Sequence, residues 1–573
     1  MEDVQALRRE ILMQANVLYE AHRYAQAAEI AGELLAVFPA DAEMRYIRAA
    51  ALTEMGAYEE ARAEIEGIRA VCPDHVGAAR QEIYIDRAEG KIRTQIVHLR
   101  ALIAALEERI AAGKQPAYHA VFLASAYSLL GEALTLTGES AEAVDAFLAS
   151  SRLETMREKK AVEYSNALFA SNYLPAHLRA NNTALARGYG KLFADVTPLA
   201  RASDARRGHK TLRIGYISPD LRAHPVGTLV QPLLALHDRT RFSVYCYANC
   251  AEDAVSARLR AHADVWRSIR GLPAEEAAAC VRGDAIDILV DLAGHTEQNV
   301  LPVLARRPAP VQVTGIGYFN TTGLPAIDYM LTDVHVDPIG TADPSFTEEM
   351  LRLPHSHFCY TLPEDLPAVT PPPMERRGYV TFGSFNNFSK VTEEVLHLWR
   401  ALLDAVPHAR LLVKSKLFGS AEGREIAAER FARCGIVAER VEMRGFGPHH
   451  LAEYGDMDIA LDTFPYTGGM TTCEALAMGV PVVTLRGESH GARFGESLLI
   501  NANLPELIAE TPEDYVRLAV RLASSPEQLR TLRMELCPRL ERSPLMDAHT
   551  YVRDVEAAYT EIWEKFVRAA GGI

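Results

Sequence analysis

Within seven residues, Gly468-Gly469, Thr471-Thr472 and Glu474 bring together the types that hold a phosphorylated ligand. Paired glycines let the backbone turn closely around such a ligand. The two threonines open a helix, whose free N–H groups and dipole make its start an anion site. Glu474, one turn inside, is placed to accept hydrogen bonds from a ribose. Together these are the groups a nucleotide sugar requires.

Other residues fit that chemistry. Lys390 closes Ser384-Phe385-Asn386-Asn387-Phe388-Ser389-Lys390, a loop between a strand and a helix, where an ammonium can reach a diphosphate as the leaving group departs. Lys414 and Lys416 are secondary candidates. His224, in Ser218-Pro219-Asp220-Leu221-Arg222-Ala223-His224-Pro225, precedes a helix and either caps it or takes a hydroxyl proton near neutral pH. Asp284 and Asp287 can each be strand-end caps, and His295-Thr296 stands where strand ends meet a cleft. His450 follows an exposed His449 ahead of the glycine turn. Asp456-Met457-Asp458 runs into a strand rather than ending one, so it reads as a cap and not as a metal site. No metal and no resident cofactor are expected. The glycine-rich 486–491 lacks a phosphate-loop lysine, which argues against ATP hydrolysis.

Gly-Gly, Thr-Thr and an acidic residue ahead of Ala475-Leu476-Ala477-Met478-Gly479-Val480-Pro481 resemble the donor end of glycosyltransferases with two Rossmann-like domains. More closely, they resemble the protein O-GlcNAc transferase family, which includes plant Spindly-type fucosyltransferases and bacterial protein glycosyltransferases. The resemblance spans about residues 211–565. It implies that His224 lines the active site, that Asp284 helps relay the acceptor proton, and that Lys390 stabilises phosphate. It also places Asn386 and Asn387 at the family's amide positions and His450 beside the nucleotide. Arg307-Pro308-Ala309-Pro310-Val311-Gln312 and the loop from Gly317 to Gly323 match a further signature, which sets Tyr318, Thr321 and Thr322, with His295, on the sugar and acceptor side. Two departures bear on donor and acceptor: Phe319-Asn320 replaces Pro-Gly, and Gly469-Met470 stands where animal members carry a histidine.

These residues need two sheets to hold them. Strand patterns at 212–218, 242–247, 286–292 and 311–316 alternate with helical ones at 226–238, 252–262 and 273–282. A second set follows a proline-rich linker at 363–377, with strands at 379–384, 409–413, 441–443, 459–461 and 480–484. Its helices fall at 391–405, 421–434, 449–454 and 470–478, and terminal helices at 511–533 and 547–570. Alternation of this kind predicts parallel sheets covered by helices on both faces, with the ligand between two halves.

The first 75 residues repeat. Tyr24-x-x-Ala27 recurs as Tyr58-x-x-Ala61 and Phe38-Pro39 as Cys72-Pro73, the 34-residue period of tetratricopeptide helix pairs. A third copy, at Leu129-Leu130-Gly131 and Gly138-Glu139-Ser140-Ala141, is displaced by 14 residues, which calls for a longer or inserted helix over 80–120.

At 573 residues the chain needs several cores, and its composition of 49% hydrophobic and 24% charged residues is globular. A formal charge of −15 argues against nucleic-acid or anionic-membrane partners. The acidic start and the lack of an apolar run approaching membrane length predict a soluble cytoplasmic protein without membrane insertion. Eight scattered cysteines without a Cys-x-x-Cys pair read as buried thiols.

The expected architecture is an α-helical tetratricopeptide solenoid with a connector (1–209), an acceptor-side Rossmann-like domain (210–362), a linker (363–377) and a nucleotide-sugar Rossmann-like domain with terminal helices (378–573), in the GT-B arrangement. The expected activity is inverting, metal-independent transfer of a sugar, N-acetylglucosamine foremost, from a UDP-sugar to Ser or Thr of proteins held by the repeats. GDP-fucose as donor, UDP-glucose to asparagine, and flagellin or adhesin modification are alternatives within the fold. A non-catalytic repeat scaffold is the alternative outside it. The sequence leaves the oligomeric state open.

Overall fold

Period-34 spacing becomes stacked helix pairs in the computed structural model, described over residues 2–179, 182–200, 204, 210–340 and 343–571. Tyr24–Val37 and Tyr58–Val71 are the second helices of two pairs, and Ala27 and Ala61 are fully buried where the partners cross. Small side chains at those points let the helices approach closely. The next equivalent helix, Ile92–Ala111, starts a further 34 residues on. The period therefore persists one step beyond the side-chain pattern. Register is lost after it because Ile92–Ala111 has 20 residues and Pro116–Thr137 has 22, against 14 in Tyr24–Val37.

One expectation needs correction: residues 117–137 are long and apolar enough, by length and composition, to cross a membrane. In this fold Leu123, Leu129, Leu130 and Leu134 of that stretch are buried, and the helix packs between Ile92–Ala111 and Ser140–Leu153. The eight cysteines are free thiols, five of them buried.

Beyond the repeats lie two parallel sheets. The first has seven strands: β1 (Leu212–Ser218), β2 (Phe242–Ala248), β3 (Val265–Ser268), β4 (Ile288–Asp291), β5 (Val311–Thr314), β6 (Tyr329–Asp333) and β7 (Glu349–Leu353). Their order is β3-β2-β1-β4-β5-β6-β7. The second has six: β8 (Thr381–Ser384), β9 (Arg410–Lys414), β10 (Val441–Arg444), β11 (Ile459–Leu461), β12 (Val482–Leu485) and β13 (Ile508–Ala509), in order β10-β9-β8-β11-β12-β13. Each reverses direction between its first and fourth strands, and such a reversal opens a crevice at the carboxyl ends. Every residue of β4, β5, β8 and β12 is buried, as strands covered on both faces require. Strands β3, β6, β7 and β13 are additions to the sequence reading. They are two to five residues long, and their polar ends hide the alternation.

Two boundaries differ from expectation. The linker holds a short helix, Met374–Arg377. The last helix, Ala548–Gly571, leaves the second domain and packs against the first, on helix Pro225–Leu236 and on β7. Glu556 anchors it there, accepting from the Asp238 N–H at 2.7 Å and lying 3.0 Å from His237 Nδ1. Most of the basic stretch 201–210 lies outside the described residues.

Candidate functional site

The turn after β11 is organised by a buried carboxylate. Asp462 accepts from the N–H groups of Thr463 (2.9 Å) and Gly468 (2.7 Å), from the Thr484 hydroxyl (2.8 Å) and from the Asn386 amide (3.4 Å). Burial pushes its pKa up to about 6 against those hydrogen bonds and the nearby Lys390 charge. Only glycine fits at 468, because a Cβ there would meet the Thr471 and Thr472 hydroxyl oxygens at 2.7 and 2.8 Å. Gly469 faces open space. Helix Met470–Ala477 begins next, and the Thr471 hydroxyl donates to Asn386 Oδ1 at 3.0 Å. The Thr472 N–H already donates to the Gly469 carbonyl. Among the described residues no acceptor takes the N–H groups of Gly469, Met470 or Thr471, so the open donors begin before Thr472.

Lys390 reaches this turn from the short helical turn Phe388–Lys390 after β8. Its Nζ donates to the Thr467 carbonyl at 2.9 Å and lies 3.8 Å from the Tyr466 ring centre. Desolvation draws its pKa down to about 8, with Asp462 opposing. Asn386 is buried in the site, but Asn387 is exposed and its side chain caps Ser389 N–H at 3.2 Å. Asn387 is thus a turn residue rather than a ligand contact.

One helical turn on, Glu474 accepts from Tyr454 Oη at 2.9 Å and lies 2.9 Å from His450 Nε2. Phe385 packs on both rings, 4.6 Å from Tyr454 and 6.0 Å from His450 between centres. Tyr454 Oη also lies 3.3 Å from the Thr471 carbonyl, which ties Glu474 to the glycine turn. His449 is exposed. Lys414 is buried and committed to Glu453 at 2.6 Å. Asp458 takes the N–H groups of Thr381 and Met374, and Asp456 pairs with Arg377 and Arg444, so both secure the start of the strand.

At the rim of the first sheet, His224 is the N-cap of helix Pro225–Leu236, with Nδ1 accepting from Val226 N–H at 3.3 Å and 3.6 Å from Asp220 Oδ1. Burial lowers its pKa and Asp220 opposes the shift. While Nδ1 accepts, the neutral ring carries its proton on Nε2 and can only donate from there.

Asp284 does not join it. It lies between helix Ala274–Gly283 and β4, at the edge where the strands begin, whereas His224 follows the end of β1. Arg267 holds both its oxygens, at 2.6 and 2.5 Å, and Tyr247 donates to it at 2.8 Å. The buried acid near the crevice is Asp291, which ends β4. It accepts from Ala293 N–H, Gly294 N–H and the Thr314 hydroxyl, and burial raises its pKa to about 6. Asp291 with Thr314 in the first sheet thus repeats Asp462 with Thr484 in the second. A polar residue ending a short apolar strand was the signal for both.

The four residues expected on the sugar and acceptor side are structural instead. His295 is buried, with Nδ1 2.9 Å from Ser165 Oγ and Nε2 2.8 Å from the Thr322 carbonyl, between the rings of Tyr189 and Tyr318. Tyr318 is buried against Asn172 and Leu168. Thr321 donates to Glu348 at 2.6 Å, and Thr322 gives it both its N–H and its hydroxyl. His295 and Tyr318 thus fix the helical connector on the first sheet, and the threonines brace their loop against Glu348. Their neighbours Phe319 and Asn320 instead line a cavity of about 430 Å³ with Tyr466, His490 and Arg179. That cavity meets the lysine site at Tyr466, whereas Gly469 and Glu474 are not part of its lining.

The sequence pattern of glycosyl transferase family 41 matches residues 193–366 and 376–555, and a tetratricopeptide repeat pattern matches 18–83. Over 410 residues the chain is 40% identical to a Solanum lycopersicum protein named "Probable UDP-N-acetylglucosamine--peptide N-acetylglucosaminyltransferase SPINDLY", covering 70% of this chain and 44% of that one. A protein of the same name from Arabidopsis thaliana is 40% identical over 412 residues, covering 70% and 45%. The chain thus spans less than half the length of these curated relatives. A solved structure described as a mutant of Thermobaculum terrenum O-GlcNAc transferase is 31% identical, covers 99% of both chains and superposes with a TM-score of 0.75.

Proposed function

The chain belongs to glycosyl transferase family 41, and from that membership and the open turn at Gly469 we propose that it transfers a sugar, N-acetylglucosamine foremost, from a UDP-sugar to Ser or Thr of proteins. The carrying observation is the convergence on one turn of an ammonium held, among the described residues, by a carbonyl and a ring, with the open N–H groups and a braced carboxylate. The names of the plant relatives and of the Thermobaculum protein support the donor and the peptide acceptor.

The diphosphate lies against Gly469–Thr471 with Lys390 beside it, and Glu474, steadied by Tyr454 and His450, takes the ribose hydroxyls. As the bond from sugar to phosphate breaks, charge grows on the departing diphosphate, where the ammonium and the helix N-terminus are already aimed. No metal is needed for that step. Direct attack of the acceptor hydroxyl forms the new bond to the anomeric carbon as the bond to phosphate breaks, inverts that centre, and passes the hydroxyl proton to an oxygen of the departing diphosphate. His224 Nε2–H orients a substrate oxygen in the geometry described; acting as base would need Nδ1–H turned toward Asp220. The repeats hold the acceptor protein, and the reaction takes place in the cytoplasm.

Turnover of UDP-N-acetylglucosamine, UDP-glucose and GDP-fucose on a protein acceptor, read by intact mass, tests the reading. An increment from UDP-N-acetylglucosamine on Ser or Thr supports it, and exclusive use of GDP-fucose overturns the donor.

A further inference from the structure

The inner layer of the solenoid carries aromatic rings around one guanidinium. Helix Glu2–Glu20 packs on Ala42–Glu54 and that helix on Val76–Glu89, so the first helices of successive pairs share a layer. This layer supplies Tyr46, Arg80 and Tyr84, and the following helix Pro116–Thr137 supplies Tyr118 and Phe122. The Arg80 guanidinium lies 5.2 Å from the Tyr84 ring centre and 5.5 Å from that of Phe122, and its Nη2 donates to Tyr84 Oη at 2.9 Å. Tyr118 and Phe122 pack edge to face at 4.8 Å, and Tyr118 is 53% exposed. Tyr46 closes the other side, near enough that a Cβ on Gly77 would touch its ring at 3.0 Å.

Charge marks this arginine out. Neighbouring guanidiniums are paired with carboxylates: Arg45 and Arg48 with Glu64, Arg62 with Asp86 and Glu89, Arg69 with Glu82. Arg80 has no carboxylate partner among the described residues, although the chain carries a net charge of −15. A guanidinium held against two rings, with Nε and Nη2 already donating to Tyr84 Oη, has lost its rotamer freedom and is weakly hydrated, so a carboxylate meets a preset donor at its Nη1 side.

We propose that this face takes an extended protein segment bearing one Asp or Glu between apolar side chains. The carboxylate rests on Arg80, and the flanking groups rest on Tyr46 and on Tyr118 with Phe122. This extends the proposed acceptor role of the repeats, yet it is read by binding without any donor, so it stands or falls apart from sugar transfer.

Fluorescence anisotropy of the full chain with fluorescein-labelled Gly-Ser-Pro-Leu-Glu-Phe-Pro-Ser-Gly tests it, against the same peptide with Gln for Glu. The Glu peptide is expected to bind about tenfold tighter. Arg80→Met removes that preference; Arg80→Gln is a second charge-free variant, and circular dichroism melting checks both folds. Equal affinity for the two peptides, no saturable binding of either, or a preference that survives in a folded charge-free variant overturns the assignment.

Discussion

The ammonium of Lys390 stands 3.8 Å from the centre of the Tyr466 ring while donating to the carbonyl of the next residue, Thr467, at 2.9 Å. A ring face and a carbonyl hold the lysine without neutralising it. Asp462 acts on it only through space, because the hydrogen-bonding capacity of that carboxylate is spent on the turn and on Asn386. The charge therefore remains for a ligand.

That charge titrates. With its pKa drawn down to about 8, Lys390 is an ammonium at neutral pH and loses its proton as pH rises through 8. Affinity for UDP, measured by calorimetry, should be level below about pH 7 and fall about tenfold per unit well above pH 8. Lys390→Ala should abolish that fall and lower kcat by about two to three orders of magnitude. A fall of the same steepness in the variant would assign the titration to another group.

The two glycines should separate folding from binding. Gly468→Ala places a methyl against the Thr471 and Thr472 hydroxyls and should lower the melting temperature. Gly469→Ala meets no protein atom and should melt like the wild type, yet weaken UDP about tenfold or more by occupying phosphate space. Undiminished UDP binding by Gly469→Ala would place the phosphates elsewhere.

Asp284→Asn should cost stability without reshaping catalysis. It loses the paired Arg267 contacts, a change of about 1–2 kcal/mol because the guanidinium is partly solvated. The pH profile of kcat should not move. A displaced profile would return Asp284 to the proton relay.

His295 should make the connector acid-labile. Its ordinary pKa of 6.5 is lowered by burial to about 4, so the unfolded chain takes up the proton more readily than the folded one. Stability from this site is complete above pH 6.5 and drains as pH falls toward 4, by about 3 kcal/mol in all. His295→Gln should melt lower than the wild type near pH 7 but lose less on acidification. An equal loss in both proteins would remove His295 as the cause.

Much of this was legible in the chain itself. The repeat period, the alternation of apolar runs and the 468–474 turn are local patterns, and local patterns fix element type and a glycine's backbone freedom. They therefore carried the solenoid, both sheets and the pairing of Gly468, Thr471, Glu474 and Lys390. They did not reveal which end of a sheet a residue meets. Asp284 and Asp291 lie seven positions apart across one short strand; only the packed sheet shows that the first is locked to Arg267 and the second ends at the crevice. Likewise His295, Tyr318, Thr321 and Thr322 have the side chains of a substrate pocket, but their partners Ser165, Leu168 and Glu348 are distant in sequence. A side chain's type follows from the code alone. Whether its polar atoms are already spent depends on neighbours that long-range packing brings to it, and this tertiary contact decided which candidates remain open to a ligand.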